Sequence, residues 1–436
     1  MSVVLTAAAT SAGAAQLVPP SAAEPGSELT VYVVTLGQGD QVWERYGHNA
    51  LWIRDDARGT NETYNWGIFD ASGPDFILRF VRGRMRYWME SVDIGQVLAF
   101  YRAANRSITV QRLTLTPAQA LALRDFAEWN EREENKYYWY DYFRDNCSTR
   151  LRDAVDRALG GALKTATSNT MTPNTYRSES VRLMEGMPLT QMGIAVGLGP
   201  LADRPLTAWE EMFVPMRMRD RLREVRVRRP DGAVTPLVAE ERQLYTASRA
   251  PELLYAPPLA RRYAVVGVIV GGLLAALGWL AGFDRRGARA PFAGAAAAWA
   301  LVTGVGGLLL VFLWLATHHM FAYRNENLLH LNPLAIVLVV LAPLATYRPR
   351  ARGPARVLAV AIAVASLLGV VLYALGLSDQ ATLPAIALVL PAHIAAAWAF
   401  ARLARVARAR ASREAADARG PGAVPRAPAP GRAHAS

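Results

Sequence analysis

The stretch Tyr142-Phe-Arg-Asp-Asn-Cys-Ser-Thr-Arg150 contains Cys147, the only cysteine in this chain of 436 residues. It joins an aromatic segment to an amphipathic helix, so the thiol falls in the first helical turn. There it faces backbone N–H groups without helical partners and the positive end of the helix dipole, and both favour the thiolate. This position predicts a nucleophile, although a lone cysteine is more often a small buried apolar side chain.

The helix is predicted from apolar residues at four-residue spacing, Leu151, Val155 and Leu159. Asp145 or Asn146 is its expected N-cap, and Gly160-Gly161 is its expected stop. The helix therefore begins within one or two residues of the thiol.

The second half of the chain has the composition of a membrane domain. Five apolar stretches approach the roughly 20 residues that a helix needs to cross a bilayer. They are Tyr263–Gly282, Phe292–Thr317, Asn327–Tyr347, Val357–Leu377 and Leu383–Ala401. We therefore predict a five-span transmembrane domain over residues 263–401.

Arginines indicate the orientation of these spans, because positively charged loops stay on the cytoplasmic side. They cluster in the first connection, the third connection and the tail, as Arg285, Arg286, Arg289, Arg348, Arg350, Arg352, Arg356, Arg402, Arg405, Arg408 and Arg410. An odd number of spans then places residues 28–255 outside, as a periplasmic domain. Arg261 and Arg262 argue against this orientation, because they lie just before the first span, on the outer side that should carry few positive charges. The prediction is a multi-pass protein of the cytoplasmic (inner) membrane.

The two ends of the chain carry weaker signals. Residues 1–20 read as a truncated signal segment, because a short apolar run precedes the small-residue pattern Ala12-Gly-Ala14. No Lys or Arg precedes Arg45, so the usual positive start of a signal peptide is missing. The basic segment 402–436 ends in a run rich in Ala, Pro, Gly and Arg, and we expect a disordered cytoplasmic tail.

The chain has 48 Lys plus Arg against 36 Asp plus Glu, a net charge of +12. Much of the surplus lies in the connections and the tail, where it predicts topology and contact with anionic lipid head groups. Nucleic-acid binding needs a basic face on a folded domain, and the sequence indicates none. Because no Cys/His metal spacing and no phosphate-binding Gly-rich loop occurs, we expect no metal and no organic cofactor.

An exported domain normally uses cysteines in pairs, so an unpaired thiol there favours a catalytic role. A thiol nucleophile needs a base, and His48 is the only histidine before residue 260. It lies in Trp43–Ile53, predicted as a strand that forms a hairpin with Glu62–Phe69 across the turn 55–59. The competing interpretation of His48 is a structural histidine in a sheet.

A third group should orient the imidazole. Asn65 on the facing strand is the first choice, with Tyr64 or Asp70 as alternatives if the register differs. Backbone N–H groups at Cys147 are candidates for holding an oxyanion. The residues predicted to shape a substrate pocket are Tyr64, Tyr142, Asp145 and Asn146.

Two further segments are ambiguous. Phe80–Trp88 mixes arginines with aromatic residues, which fits contact with phosphate head groups and equally fits a solvated basic strand edge. Six polar residues lie near the outer end of the third span: His318, His319, Asn325, Asn327, His330 and Asn332. Polar groups there are expensive unless they face the bundle interior or water. They either dock against the exported domain and shape the route of the lipid or lipoprotein to the site, or lie in water.

Four segments carry a resemblance to a known family. They are Tyr46-Gly-His-Asn-Ala-Leu51, Tyr64-Asn-Trp-Gly-Ile-Phe-Asp70, Tyr142–Arg150 and Asn325-Glu-Asn-Leu-Leu-His-Leu-Asn-Pro-Leu334. Together they resemble the Lnb N-terminal periplasmic domain family, the lipoprotein N-acyltransferase group. A histidine on an early strand before an Asn-Cys at a helix start is also similar to the circularly permuted papain-like proteins of the NlpC and lecithin:retinol acyltransferase (LRAT) types.

The resemblance implies an α+β, circularly permuted papain-like (NlpC/LRAT-like) periplasmic domain followed by a helical transmembrane bundle. It implies that Cys147 takes an acyl group from a membrane phospholipid as a thioester, that His48 moves the protons, and that a lipoprotein acceptor receives the acyl group on its N-terminal amine. The alternatives are a cysteine hydrolase or amidase acting on cell-wall peptide or lipid ester, and a non-enzymatic membrane scaffold.

Overall fold

The computed structural model describes residues 24–73, 75–229, 232–283 and 286–417. The predicted signal segment 1–20 and the end of the predicted tail, from residue 418, lie outside them. The described chain forms an α+β domain followed by a bundle of long apolar helices. This confirms the predicted mixed domain and helical bundle, while the papain-like permutation stays a prediction.

Nine strands are described, of which seven form one sheet in the order β6-β4-β3-β2-β1-β5-β9. All neighbouring strands of this sheet are antiparallel. The strands are β1 Leu29–Leu36, β2 His48–Asp55, β3 Thr60–Ile68, β4 Met85–Asp93, β5 Ile108–Leu113, β6 Tyr137–Tyr140, β7 Arg226–Arg228, β8 Val234–Pro236 and β9 Val238–Tyr245.

Nine α-helices belong to the described part of the first domain, and five form the bundle. The first nine are α1 Phe76–Arg82, α2 Ile94–Ala103, α3 Pro117–Glu131, α4 Cys147–Ala158, α5 Ala162–Thr167, α6 Tyr176–Leu183, α7 Pro188–Gly197, α8 Ala208–Glu211 and α9 Pro215–Glu224. The bundle contains α10 Leu259–Ala281, α11 Arg286–Ala316, α12 Ala335–Tyr347, α13 Pro349–Ala374 and α14 Leu383–Asp417.

Strand β2 lies at the centre of the sheet and is covered on both faces, as its run of apolar residues predicts. Leu51 belongs to the core that includes Leu151 of α4. Ala50 points the other way, into the core formed with Ile94 of α2. Because α4 packs against β2 and β3, the first residues of α4 lie near the start of the β2–β3 hairpin.

The β2–β3 hairpin is confirmed, with Leu51 opposite Tyr64 and Asp55 opposite Thr60. The predicted strand starts too early, because Val42–Tyr46 is a short 3₁₀-helix. Gly47 ends that helix at φ +79°, where a Cβ atom would stand 2.8 Å from the Leu36 carbonyl oxygen and 2.6 Å from a methionine sulfur. Only glycine fits this bend, which sets the point where the strand begins.

Helix α4 is capped by Asn146, whose side chain accepts a hydrogen bond of 2.9 Å from the N–H of Thr149. Asp145, the other predicted cap, instead forms a two-point ion pair with Arg150, at 2.6 and 2.8 Å. The helix ends before Gly160, which has a positive φ. The helix prediction is therefore confirmed at both ends, with the cap resolved in favour of Asn146.

Four of the five predicted spans are helices long and apolar enough to cross a membrane: α10, α11, α13 and α14. The third, Asn327–Tyr347, is different. Only the 13 residues of α12 are α-helical there, fewer than the roughly 20 that span hydrocarbon. A 3₁₀ turn at Glu326–Leu329 and an irregular segment precede α12. The prediction of a full-length helix at this position is wrong.

The irregular segment is anchored in the protein at His330, as backbone without helical hydrogen bonds requires inside a bilayer. His330 is fully buried. Its Nδ1 is 2.9 Å from Oγ of Ser366 on α13, and its carbonyl oxygen is 2.9 Å from Nε2 of His393 on α14. Gly369 leaves room for the imidazole, since a Cβ there would stand 2.6 Å from its Cε1 atom.

The last helix continues beyond the predicted end of its span at Ala401 and reaches Asp417. The prediction that the tail is disordered from residue 402 is therefore wrong for 402–417. This extension carries the arginines that were used to place the tail on the cytoplasmic side, so α14 projects out of the bundle as a basic helix.

The outer connections of the bundle dock on residues 196–199 of the first domain, where α7 ends. The side-chain amide of Asn325 donates to the carbonyls of Val196, Gly197 and Leu198 at 2.8, 2.9 and 3.1 Å. Asn327 also donates to the Val196 carbonyl, at 2.9 Å. The docking prediction is confirmed for these two asparagines. It is wrong for His330, which lies inside the bundle, whereas Asn332 accepts from the N–H of Leu334.

Candidate active site

Cys147 is a free, partly buried thiol at the first residue of α4. Burial raises the pKa of this thiol, and the backbone N–H groups of Asn49, Ser148 and Cys147 itself act in the opposite direction. The sequence-based expectation of a favoured thiolate is therefore wrong for the resting site, because desolvation outweighs the helix terminus. The thiol of Cys147 is therefore neutral at neutral pH.

His48, the predicted base, begins strand β2 and is hydrogen-bonded to Asn65, the predicted orienting residue. Its Nε2 is 3.1 Å from Oδ1 of Asn65, and the amide nitrogen of Asn65 donates to the Thr63 carbonyl at 2.9 Å. Because an amide oxygen only accepts, Nε2 carries the proton and Nδ1 of the neutral ring carries the lone pair. The arrangement leaves Nδ1 as the atom that can accept a proton.

The imidazole of His48 is held neutral. Burial lowers its pKa from 6.5 to about 4, the Asn65 hydrogen bond acts in the opposite direction, and the charge of Arg106 lowers the pKa further. The ring also lies parallel to that of Tyr101, with centroids 6.4 Å apart. At neutral pH the imidazole of His48 and the thiol of Cys147 are therefore both uncharged.

The link between the two candidate residues runs through Asn49, which follows His48. Its backbone N–H faces the sulfur of Cys147, and its side-chain amide donates to Oγ of Ser148 at 3.1 Å. Among the described residues, no hydrogen bond joins the imidazole to the thiol. The structure therefore brings His48 and Cys147 to the same end of β2 but not into hydrogen-bond contact.

Arg106 was not identified from the sequence. It is buried, its Nε donates to the Gly37 carbonyl at 2.9 Å, and its guanidinium lies 4.6 Å from the ring centre of Tyr101. Its charge lowers the pKa of both His48 and Cys147. It therefore favours the two forms that nucleophilic attack needs, a free imidazole and a thiolate.

The other predicted residues occupy different positions. Tyr64 is buried in the core between the sheet and α4. The side chain of Asn146 is used by the helix cap and by the carbonyls of Tyr142 and Phe213. Asp70, an alternative orienting group, is exposed and accepts from Ser72, so it does not replace Asn65.

Tyrosines form much of the surroundings of Cys147. Gly67 in β3 lies next to Cys147 and to two of these tyrosines. A Cβ added at Gly67 would stand 3.5 Å from the Cys147 Cβ, 3.8 Å from Oη of Tyr138 and 3.9 Å from the ring of Tyr140. Tyr87 stacks on Tyr140 with ring centroids 4.3 Å apart. The tyrosines nearest the thiol therefore include two from the aromatic segment before Cys147, in which the sequence analysis singled out only Tyr142.

The segment before Cys147 also contacts the membrane domain. Tyr142 stacks on His319, with centroids 6.1 Å apart, and Phe143 meets Phe321 at 4.5 Å. Both partners belong to the connection that follows α11. The thiol therefore lies a few residues from the surface on which the bundle and the domain meet.

No group of three or more His, Cys, Asp or Glu side chains in the described ranges is arranged to hold a metal ion. The chemistry available at the site is that of a thiol, an imidazole, an amide and tyrosine hydroxyls. Such a set serves acyl transfer through a covalent intermediate.

Two family models match the chain. The model described as the Lnb N-terminal periplasmic domain matches residues 22–181, and the model described as the Lnb transmembrane domain matches residues 266–402. The first includes His48, Asn65 and Cys147, and the second includes all five bundle helices in whole or in part. No curated protein and no solved structure matches the chain.

Proposed function

Because the chain belongs to the Lnb family, with its periplasmic N-terminal domain and its transmembrane domain, we propose that it is a lipoprotein N-acyltransferase of the inner membrane. It transfers a fatty acyl group from a membrane glycerolipid, through a thioester on Cys147, to the N-terminal amine of a lipoprotein. Family membership supports the coarser statement, a membrane enzyme that modifies lipoproteins. The thiol chemistry is the part that the site geometry supports.

One observation carries the proposal: an unpaired thiol begins a helix beside an oriented, neutral imidazole, at the face where the domain meets the bundle. Asn65 fixes the imidazole, and contacts of Tyr142 and Phe143 with the outer connection hold the thiol segment at that face. A diacyl lipid stays in the bilayer because each buried methylene contributes about 0.8 kcal/mol. The site must therefore lie at the membrane surface.

The first half-reaction forms the thioester. Sγ of Cys147 attacks the ester carbonyl as its proton passes to Nδ1 of His48, and the carbonyl electron pair moves onto oxygen. Collapse of this intermediate breaks the bond to the glycerol oxygen, which takes the proton from His48. The proton transfer needs an imidazole–thiol contact that the resting site lacks, and such contacts commonly tighten when substrate binds.

The second half-reaction forms the amide. The acceptor amine attacks the thioester carbon, gives its proton to His48, and the carbon–sulfur bond breaks with return of that proton to Cys147. The overall exchange converts an ester and an amine into an amide and an alcohol. Water in place of the amine would turn the same site into a hydrolase, so the acceptor decides between these two functions.

Intact mass spectrometry of the full-length protein tests the first half-reaction. Wild type and the Cys147→Ser variant are incubated with phospholipid and without an amine acceptor. We expect wild type to gain the mass of a fatty acyl group, removable by hydroxylamine, and the variant to gain none. Addition of a lipopeptide with a free N-terminal amine should discharge the adduct onto the peptide.

The other outcomes are distinct. An adduct that disappears in buffer and yields free fatty acid at the same rate with or without the amine indicates a hydrolase. Absence of both adduct and free fatty acid contradicts the thioester route and favours the scaffold alternative.

A further inference from the structure

Helix α1 exposes a continuous apolar face. Ile77, Leu78 and Val81 are 68%, 50% and 39% exposed. Their spacing places them on one side of the helix. Isolated apolar residues are common on protein surfaces, whereas a contiguous patch marks a site of interaction.

This helix lies at the outer end of the bundle. The backbone N–H of His318 donates to the Arg82 carbonyl at 2.9 Å, and a ring nitrogen of His319 is 3.0 Å from the Phe80 carbonyl oxygen. The two histidines follow α11, which ends at Ala316 and has the length and composition of a membrane span. Helix α1 is therefore tied to the end of a candidate membrane span.

The charges around the apolar face fit a lipid surface. Arg82 and Arg84 are exposed beside it. An apolar face flanked by arginines is the pattern of a helix that lies in the plane of the membrane interface. Guanidinium groups there can form two-point hydrogen bonds with phosphate.

We propose that α1 is an interfacial helix that inserts Ile77, Leu78 and Val81 into the outer leaflet, with Arg82 and Arg84 at the lipid phosphates. Stacked rings connect it with the pocket, since Phe69 lies 5.8 Å from Phe76 and 4.9 Å from Tyr87, ring centroid to centroid. The helix thereby holds the tyrosines near Cys147 next to the lipid.

The test measures depth, independently of activity. In a Cys147→Ser background, which removes the natural thiol, Ile77→Cys and Leu78→Cys are labelled with a fluorophore in full-length protein in lipid nanodiscs. The matched control is Ala57→Cys in the exposed β2–β3 turn, at the opposite end of β2 from His48. Quenching by phospholipids with a nitroxide near the head group should be at least threefold stronger at 77 and 78 than at 57.

Equal quenching at all three positions would overturn the proposal. If lipid leaves the label at 77 unquenched but an acceptor lipopeptide protects it from labelling, the face binds the acceptor and the membrane assignment is wrong. Because these residues are exposed, the substitutions do not disturb a core, and the outcome does not depend on the acyltransferase proposal.

A second observation concerns Tyr138 on β6. Only 7% of its surface is exposed, and its Oη has no hydrogen-bond partner in the described part of the chain. An unpaired buried hydroxyl is destabilising. Burial raises the pKa of this phenol well above its usual value, so it remains a donor.

The hydroxyl and Cys147 both lie close to Gly67. The position of an added Gly67 Cβ lies within 4 Å of both Oη of Tyr138 and the Cys147 Cβ, so the glycine leaves the space between them free of a side chain. The ring is fixed in place by Arg150, whose guanidinium lies 3.6 Å from its centroid and pairs with Asp145. A rigid donor without a partner is therefore held near the thiol residue, with only Gly67 and no side chain of that residue beside it.

We infer that Tyr138 Oη donates a hydrogen bond to the oxyanion that forms when Cys147 attacks a carbonyl bound beside Gly67. The inference rests on the proposed thioester chemistry. A donor directed at the developing charge accelerates the step by about 100-fold or more. The hydrogen bond that Tyr138 lacks in the resting protein is then made in the transition state.

The Tyr138→Phe variant separates catalysis from stability. We expect the rate of Cys147 acylation to fall about 100-fold, while the melting temperature stays equal or rises because a buried unpaired hydroxyl is removed. Tyr137→Phe is the control, since Tyr137 lies on the same strand and is partly exposed. It should retain the wild-type acylation rate within about twofold.

Acylation of Tyr138→Phe at the wild-type rate would overturn this inference and leave the thioester route intact. A fall in the melting temperature together with the rate would show a structural role. If wild type itself forms no adduct, the failure lies in the proposed function.

Discussion

His48 in the domain and His330 in the bundle are both histidines with one side-chain partner, yet their surroundings differ in kind. His48 bonds to Asn65 through Nε2 and keeps Nδ1 free at the end of a strand. His330 lies in irregular backbone, and its contacts with Ser366 and His393 join three segments of the bundle. The first arrangement presents a base, and the second holds a broken span together.

The comparison shows that burial of a polar residue does not by itself indicate function. Near His48 there are a free thiol, the charge of Arg106 and a group of tyrosines. Around His330 the hydrogen bonds are directed at segments that need to be held together. What distinguishes the two is the chemistry around the ring and not a free ring nitrogen, because Nε2 of His330 also lacks a hydrogen-bond partner among the described residues.

The largest expected effect comes from removing the site itself. Cys147→Ser should abolish acyl-adduct formation, because an alcohol beside a weak neutral base is a poor nucleophile. His48→Ala should lower the acylation rate about 1,000-fold, within the range of general acid–base catalysis. Both are measured by intact mass spectrometry, with melting temperatures as the folding control. Activity in both variants would show that the nucleophile lies elsewhere.

His330→Ala should lower the stability of the protein and leave the acylation rate nearly unchanged. Loss of its side-chain hydrogen bond to Ser366 and the resulting space should reduce the free energy of unfolding by about 1–2 kcal/mol, while its backbone carbonyl keeps the hydrogen bond to His393. The acylation rate of the folded protein should stay within about twofold of wild type. Ser366→Ala is the matched control, since it breaks the same side-chain hydrogen bond with a smaller change in volume. A large loss of rate at unchanged stability would make the two histidines functionally alike.

The site was partly predictable because its main residues belong to local patterns. Alternation and a turn predict the hairpin that places Asn65 opposite the His48 strand, and helix spacing with a cap and glycines places Cys147 at a helix start. Arg106 and Tyr138 have no such signal. Their roles depend on strand order, since β5 joins β1 and β6 joins β4 through pairings distant in sequence.

Two errors have identifiable physical causes. The thiolate was expected because a helix terminus is visible in the sequence, while the desolvation that raises the pKa of Cys147 depends on tertiary packing. The third span was counted by hydropathy, which measures composition and not backbone conformation. The Asn332-Pro333 pair, a turn signal two residues before α12, marks where the helix begins.

An intermediate effect is expected at the contact between the two regions. Asn325→Ala removes the donor of three carbonyl contacts to residues 196–198 at the end of α7, so this segment should exchange backbone hydrogens faster and turnover should fall about fivefold. Asn332→Ala removes a local contact with the N–H of Leu334 and should change neither. Hydrogen exchange measured by mass spectrometry checks the docking. Unchanged exchange in Asn325→Ala would show that other contacts suffice.

The smallest expected effects are shifts, in opposite directions for two variants, of the pH at which the acylation rate falls. Because the pKa of His48 is about 4, the acylation rate should fall only as the pH drops through about 4, where the imidazole becomes protonated and stops accepting the thiol proton. The Asn65 hydrogen bond raises this pKa and the Arg106 charge lowers it. Asn65→Ala should therefore move this fall in rate to lower pH, and Arg106→Gln should move it to higher pH, each by about one unit or less. Single-turnover acylation between pH 3.5 and 8, restricted to conditions where each variant remains folded, measures the shifts. A fall of the wild-type rate near pH 6.5, or shifts of the same sign in both variants, would mean that His48 is not the base. His48 would then be a structural histidine, as His330 is.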